Sequence, residues 1–228
     1  MKRHLLFLFS HRTLANLRWD FHLLRVRLVG FLTNRFARAR HDVRSRPYPR
    51  YLNLGSGPRG LDSPQWINID AFPDRNVQYL FDFNRALPFE EASFDGVFCE
   101  HVLEHFSFDD GVALMTGIGR NLKPGGVLRV IVPDAAWLVR TYFEDPAALV
   151  AHRGVKDLTP MEVVNDYFRQ RYEHHFLHDF DSMRKLLNLA GFDEVIRSTF
   201  GQSAMSADLV LDDVKYAPES LYVEARKL

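Results

Sequence analysis

Histidine and carboxylate side chains gather at three points of this chain. His101-Val-Leu-Glu104-His105 sets an acid between two imidazoles, His174 and His175 stand side by side, and Asp134 follows Val132-Pro133. An imidazole titrates near neutrality and can take a proton from a hydroxyl as its oxygen attacks. His105 is therefore the first candidate base, followed by His175, His174 and Asp134. The first segment also spells H-x-x-E-H, the pattern by which zinc peptidases place two histidines one helical turn apart. A catalytic zinc needs three protein ligands, and no third one is evident here, so no metal is expected. Hydrogen-bonded structural roles for Glu104 and His105 fit the pattern equally well.

A second group of residues suits ligand binding. YLNLGSGPRG places Gly55, Gly57 and Gly60 behind a short apolar run as a literal G-x-G-x-x-G. In a dinucleotide site such a loop opens a helix whose free amides seat the pyrophosphate. Residues 52–70 provide only 19 positions, against roughly 30 for a full strand-helix-strand unit. The helix should be missing or vestigial, which leaves a nucleoside without a diphosphate as the better ligand. The glycines allow close backbone approach, and Asp70 at the end of the next run can accept from two ribose hydroxyls. Asp82 is placed to accept from an adenine amino group, with Phe83 against the ring. S-adenosylmethionine has this form, with adenine, ribose and a charged amino-acid tail.

These residues need a scaffold to hold them. Seven short apolar runs, at 50–54, 66–69, 77–81, 94–99, 127–132, 195–198 and 221–225, alternate with helix-like stretches. That alternation predicts an α/β fold, a doubly wound, mostly parallel seven-stranded sheet. Residues 108–122 fit a helix, and Lys123-Pro-Gly-Gly126 fits a turn. Ser182 can cap a helix that runs through Leu186 and Leu187 and stops at Gly191. Residues 135–181 are the least regular part and are crowded with aromatics and histidines. Lying after the fifth strand, where open sheets bind ligands at their carboxyl ends, they are a candidate substrate lid.

Composition bounds the class. With 46% hydrophobic and 25% charged residues the chain is an ordinary globular one and not a disordered one. Cys99 is the only cysteine, which excludes a disulfide framework or thiolate metal site within one chain. The zero net charge conceals a basic arm, since residues 1–50 carry +10 and the other 178 carry −10. Leu14, Leu17, Phe21, Leu24, Leu28 and Phe31 recur at helical spacing with arginines between them, until Pro47 and Pro49. Residues 1–48 thus form a basic amphipathic helical arm on a domain of residues 49–228. Its stripe can pack on the domain, pair two copies as a homodimer, or rest through residues 1–45 on an anionic membrane. Nucleic acid is not expected, because no recognised module accompanies the charge. The apolar run at 5–9 is too short for a span or a signal sequence, so a cytoplasmic location, with contact at the inner face of the membrane, is expected.

LNLGSG, WINID, LPFEEASFDGVFCEHVLEHF, LKPGGVLRVIVPD and LLNLAGF follow one another in the order found in a known family. In these segments the chain resembles the class I S-adenosylmethionine-dependent methyltransferases, particularly small bacterial members with a VLEH segment. The resemblance covers residues 50–228. It implies a Rossmann-like methyltransferase fold and cofactor positions at Gly55, Ser56, Gly57, Asp70, Asp82 and Phe83, with Glu100 and His101 beside the methionine end. Two departures stand out, Asn53 where an acid is common and an abbreviated first crossover. The expected activity is methyl transfer to a small molecule or a sugar or glycan precursor, the latter by analogy with bacterial enzymes of surface polysaccharides. A non-catalytic nucleoside-fold scaffold is the first alternative, and an NAD-dependent oxidoreductase the second.

Overall fold

The computed structural model describes residues 10–228, so the run at 5–9 lies outside the described residues. Seven strands are present: β1 Tyr51–Leu54, β2 Trp66–Asp70, β3 Tyr79–Leu80, β4 Phe94–Glu100, β5 Leu122–Pro133, β6 Glu194–Arg197 and β7 Ser220–Arg226. They form one sheet in the order β3-β2-β1-β4-β5-β7-β6. β1 pairs in parallel with β2 and β4, with Tyr51 opposite Trp66 on one side and Gly96 on the other. β7 is antiparallel to both β5 and β6. The order reverses between β1 and β4, and the carboxyl ends of such strands are where open sheets bind ligands.

Helices α1 His11–Leu32, α2 Arg35–Ser45, α3 Phe108–Asn121, α4 Ala135–Glu144, α5 Pro146–Arg153, α6 Pro160–Arg169 and α7 Phe180–Leu189 complete the fold. One sheet face carries the main core, where Leu52, Leu54, Ile67, Val97, Leu128 and Val130 meet Met115 and Ile118 of α3, Leu186 of α7 and Val43 of α2. On the opposite face Tyr51, Trp66, Phe98, Ile131 and Tyr222 are covered by Leu209 and its irregular neighbours. Arg129 of β5, fully buried, ties that cover down. It pairs with Asp212 and Glu224 and donates to the carbonyls of Thr199 and Gln202.

Several local expectations change. The arm is two helices, because Asn34 takes a left-handed conformation (φ 51°) that ends α1 and starts α2. Helix α1 packs on the domain through Leu23, Val26 and Gly30, whereas Leu17, Phe21, Leu24, Leu28 and Phe31 of the expected stripe are exposed. The N-cap of α7 is Asp179 and not Ser182. Asp179 Oδ1 accepts from Ser182 N, and Ser182 Oγ accepts from Asp179 N, a reciprocal capping box. Lys123-Pro-Gly-Gly126 is an excursion inside β5, since Phe94 faces Leu122 but Gly96 faces Val127. The stretch 135–181 is more regular than its composition suggests, holding α4, α5 and α6 around an apolar cluster of Leu138, Leu149, Val163, Tyr167 and Leu177.

Candidate active site

The glycine loop follows β1 with no crossover helix, only a three-residue turn, Gly57–Arg59. Gly55 has φ +72°, and a Cβ there would lie 2.2 Å from Val102 Cγ2, so no side chain fits between the loop and the end of β4. Gly60 serves packing, since its Cβ would fall 2.8 Å from Asn76 O. Over Gly57 the space is open, with nothing within 4 Å of where a Cβ would stand. Ser56 Oγ is buried and has no hydrogen-bond partner among the described residues. An open loop beside an orphaned hydroxyl fits a polar ligand seated on Ser56 and Gly57.

The acids beyond the loop are more engaged than the sequence implies. Asp70 Oδ2 accepts from Gly57 N at 2.8 Å and Oδ1 from Phe72 N at 2.9 Å, which shapes the loop. A carboxylate has about four lone-pair sites, so Asp70 can still accept from a ribose. Asp82 is nearly saturated. Its Oδ2 takes Arg27 Nε of α1 at 2.6 Å, and its Oδ1 takes both the amide and the side chain of Asn84 at 3.0 Å. Asp82, expected to accept from an adenine amino group, is thus already engaged by Asn84 and by a cation that α1 supplies over the end of β3. Phe83, expected against the adenine ring, is buried in the main core. Asn53 bonds Asn68 Oδ1 at 3.3 Å and serves the interior of the sheet. Glu100, expected beside the methionine end, is buried and paired with Arg59 of the glycine turn, with its other oxygen on Asp213 N at 3.0 Å.

Past β4 the histidine segment turns sharply. His101 has φ +54°, a conformation uncommon for a residue with a Cβ. The turn lets His101 Nδ1–H donate to Glu104 Oε1 at 2.9 Å, while its ring lies against Tyr216 with centroids 4.2 Å apart. Burial alone would raise the Glu104 carboxyl, but the His101 bond and the charges of His101 and His105 outweigh it and hold Glu104 below the usual carboxylate range. His175 N and Phe176 N both bond Glu104 O, at 2.8 and 3.3 Å, and so fasten the segment after α6 onto this turn. His105 Nδ1 lies 3.1 Å from Glu173 O and His174 Nδ1 lies 2.6 Å from Tyr167 O. A carbonyl can only accept, so both rings carry hydrogen on Nδ1, and in the neutral ring it is Nε2 that accepts. Burial pushes the His174 pKa down.

A cavity of about 790 Å³ takes its lining from residues near both regions. Its lining includes Phe72, Asn84 and Arg85, each within three residues of Asp70 or Asp82, together with His105, His175 and Tyr172. Trp19, His22 and Arg27 of α1 also line it. Of the four expected bases, His105 and His175 line this space and His174 is buried behind His105. Asp134 is elsewhere, its Oδ1 accepting from Ala136 N and Trp137 N as the N-cap of α4. The sequence reading missed Arg27, His22 and Phe72. His22 Nε2 reaches Ala71 O at 2.7 Å and its ring stacks on Phe72. No local pattern could have paired an arm helix with residues some fifty positions away.

Among solved structures, the chain is similar to phosphoethanolamine N-methyltransferase 2 of Haemonchus contortus bound to S-adenosyl-L-methionine, at 16% identity and a TM-score of 0.49, covering 80% of this chain and 49% of that one. It therefore spans about half the length of that enzyme. It is also similar to a SAM-dependent methyltransferase of Archaeoglobus fulgidus (13% identity, TM-score 0.47, 86% and 93% of the two chains) and to one of Thermotoga maritima (19%, 0.48, 90% and 97%). No curated protein matches it. Residues 34–197, well over half of the 228, match the family described as a methyltransferase domain. The chain belongs to that family, the class I S-adenosylmethionine-dependent methyltransferases.

Proposed function

We propose that the protein transfers a methyl group from S-adenosylmethionine to an oxygen of a small molecule or of a sugar or glycan precursor. The cavity supports this reading, because a single space is lined both by Phe72, next but one to the ribose-type acid Asp70, and by His105 and His175. Bound S-adenosylmethionine supplies a methyl carbon activated by its positively charged sulfur. Ser56, the Gly57 loop and Asp70 are the residues suited to hold it. The chain's own contribution is orientation, since holding two reactants in line removes much of the entropic barrier. His105 Nε2 or His175 then takes the hydroxyl proton of the acceptor as its oxygen attacks. Tyr172 and Trp19 offer faces on which a sugar or planar acceptor can stack.

The glycan half of the proposal draws support from α1. Leu17, Phe21, Leu24, Leu28 and Phe31 face away from the domain with Arg18 and Arg25 among them. An exposed apolar stripe with arginines suits the surface of an anionic membrane, where lipid-linked acceptors reside. No helix among the described residues is long and apolar enough to cross a membrane.

Calorimetry with S-adenosylmethionine, S-adenosylhomocysteine and NAD, followed by a labelled-methyl screen of nucleotide-sugars and glycolipids, tests the activity. Binding of S-adenosylhomocysteine with transfer to one acceptor class is expected. NAD binding alone overturns the reading, and cofactor binding without turnover on any acceptor favours the scaffold. For the membrane, deletion of the arm is a poor test because α1 also walls the cavity. Changing Phe21, Leu24 and Leu28 to Gln leaves the inward face intact and should abolish sedimentation with anionic liposomes. Unchanged sedimentation removes the membrane from the proposal.

A further inference from the structure

We propose that Glu104, His105 and His174 form a binding site for a divalent transition-metal ion, zinc by the chemistry of the donors. One ligand atom from each residue lies within 4.8 Å of the other two. A zinc ion bound at about 2.1 Å would place tetrahedral donors roughly 3.4 Å apart, so the cluster needs to close by about an ångström. The two imidazole rings stand edge to face at 77°, with centroids 5.1 Å apart, and do not stack on each other.

Two independent features distinguish this cluster from a chance gathering of polar groups. The first is the state of the imidazoles. Both donate Nδ1–H to a backbone carbonyl, His105 to Glu173 and His174 to Tyr167. Metal-bound histidines are almost always held in this way, with the second nitrogen fixed by a carbonyl or carboxylate and the first left as a lone pair. The second is Glu104 itself. It is 1% exposed, its Oε1 is bonded by His101, and its Oε2 has no hydrogen-bond partner among the described residues. A buried anionic oxygen without a donor is costly. Neutral rings with hydrogen on Nδ1 present Nε2 as an acceptor beside Glu104 Oε2, and a cation between the three satisfies all of them at once.

The fold also supplies what the sequence pattern lacked. In H-x-x-E-H the two histidines are the ligands, but here His101 is an outer partner that orients the carboxylate. The third ligand comes from the segment after α6, which is fastened to Glu104 O through His175 N and Phe176 N. Two imidazoles and a carboxylate favour zinc over magnesium, which prefers oxygen donors alone. Such a set leaves a fourth position for water or an acceptor oxygen, and His105 borders the cavity where that position would open. With an ion in place His105 is a ligand, and His175 becomes the proton acceptor. The site rests on these donors and not on methyl transfer.

The test uses the full chain, stripped by a chelator and titrated with cobalt(II), zinc and magnesium in the absence of cofactor. One equivalent of cobalt should give the visible absorption of a nitrogen- and oxygen-ligated ion, zinc should displace it, and magnesium should do neither. Loss of an outer partner alone costs 10- to 100-fold in affinity, so His105→Gln and His174→Gln should each weaken cobalt binding by at least about 100-fold. His41→Ala, at an exposed histidine of α2 outside the cluster, should leave it unchanged. Absence of stoichiometric cobalt binding by the wild type overturns the proposal and leaves a proton shared between Glu104 and a histidine as the account of the cluster. Undiminished binding in both histidine variants overturns it equally. Because the wild-type spectrum decides the first point, a misfolded variant does not leave the question open, and neither result depends on whether the methyl acceptor has been found.

Discussion

Gly55→Ala should damage the protein in two separable ways. At φ +72° an L-residue is in the left-handed region, which costs about 1–2 kcal/mol. The new Cβ would also lie 2.2 Å from Val102 Cγ2, and overpacking of that kind costs about 1–3 kcal/mol. Together these amount to about 2–5 kcal/mol, a large share of the 5–15 kcal/mol that holds a domain together. Val102→Ala alone removes two methyl groups from a buried site, about 1.6 kcal/mol at 0.8 per buried carbon. In the double variant the clash is gone and only the backbone strain remains, so the two changes should be non-additive by about 1–3 kcal/mol in the stabilising direction. Urea unfolding of the four proteins measures this cycle, provided their m-values agree. Calorimetry with S-adenosylhomocysteine should show binding lost in the single glycine variant and partly regained in the double. Additivity within about 0.5 kcal/mol would refute the close packing of the glycine loop on β4, and with it the explanation of why this position must be glycine.

The remaining expectations concern charge and burial. Burial pushes His178 down to about 4, so the unfolded chain binds its proton near pH 6.5 while the folded one does not. Stability is therefore full above about pH 6.5 and falls as the pH drops toward 4, by about 3 kcal/mol; urea midpoints should show this slope in the wild type and a shallower one in His178→Asn. Arg129→Met strands Asp212 and Glu224 without their buried cation and should destabilise by about 3–5 kcal/mol, read as a lower urea midpoint; an unchanged midpoint would show that the tie is dispensable. Arg27 is 42% exposed and Asp82 2% exposed where they pair, and with one partner open to water the pair is set at the upper end of the surface range, about 1 kcal/mol. If it occupies the place of an adenine amino group, Arg27→Ala should tighten S-adenosylhomocysteine about fivefold, whereas weaker binding would make Arg27 part of the cofactor seat.

What the sequence could and could not show follows from how far each interaction reaches along the chain. Strands and helices are written in local periodicity, so the seven apolar runs lie where β1 to β7 form, and the short stretch between β1 and β2 holds only the turn Gly57–Arg59 where a helix would otherwise stand. The glycine loop and Asp70 were legible for the same reason, as they lie within one strand-loop-strand unit. Asp82 and Phe83 were not, because their partners come from elsewhere. Arg27 meets Asp82 across 55 positions, and the core that absorbs Phe83 is assembled from the whole sheet. The stripe on α1 was read correctly as apolar, but periodicity cannot tell which face a helix turns inward. Leu23 and Val26 occupy that face because His22 and Arg27, on either side of them, bond Ala71 and Asp82. Polar contacts thus fix the rotation of the helix and leave its most hydrophobic residues facing solvent. The histidine cluster shows the same rule at the site itself. H-x-x-E-H announced two histidines and an acid, yet the ring that joins Glu104 and His105 is His174, almost seventy positions away and delivered by the pinning of two amides on Glu104 O. Local sequence specifies which groups are available, and long-range hydrogen bonds decide which of them converge.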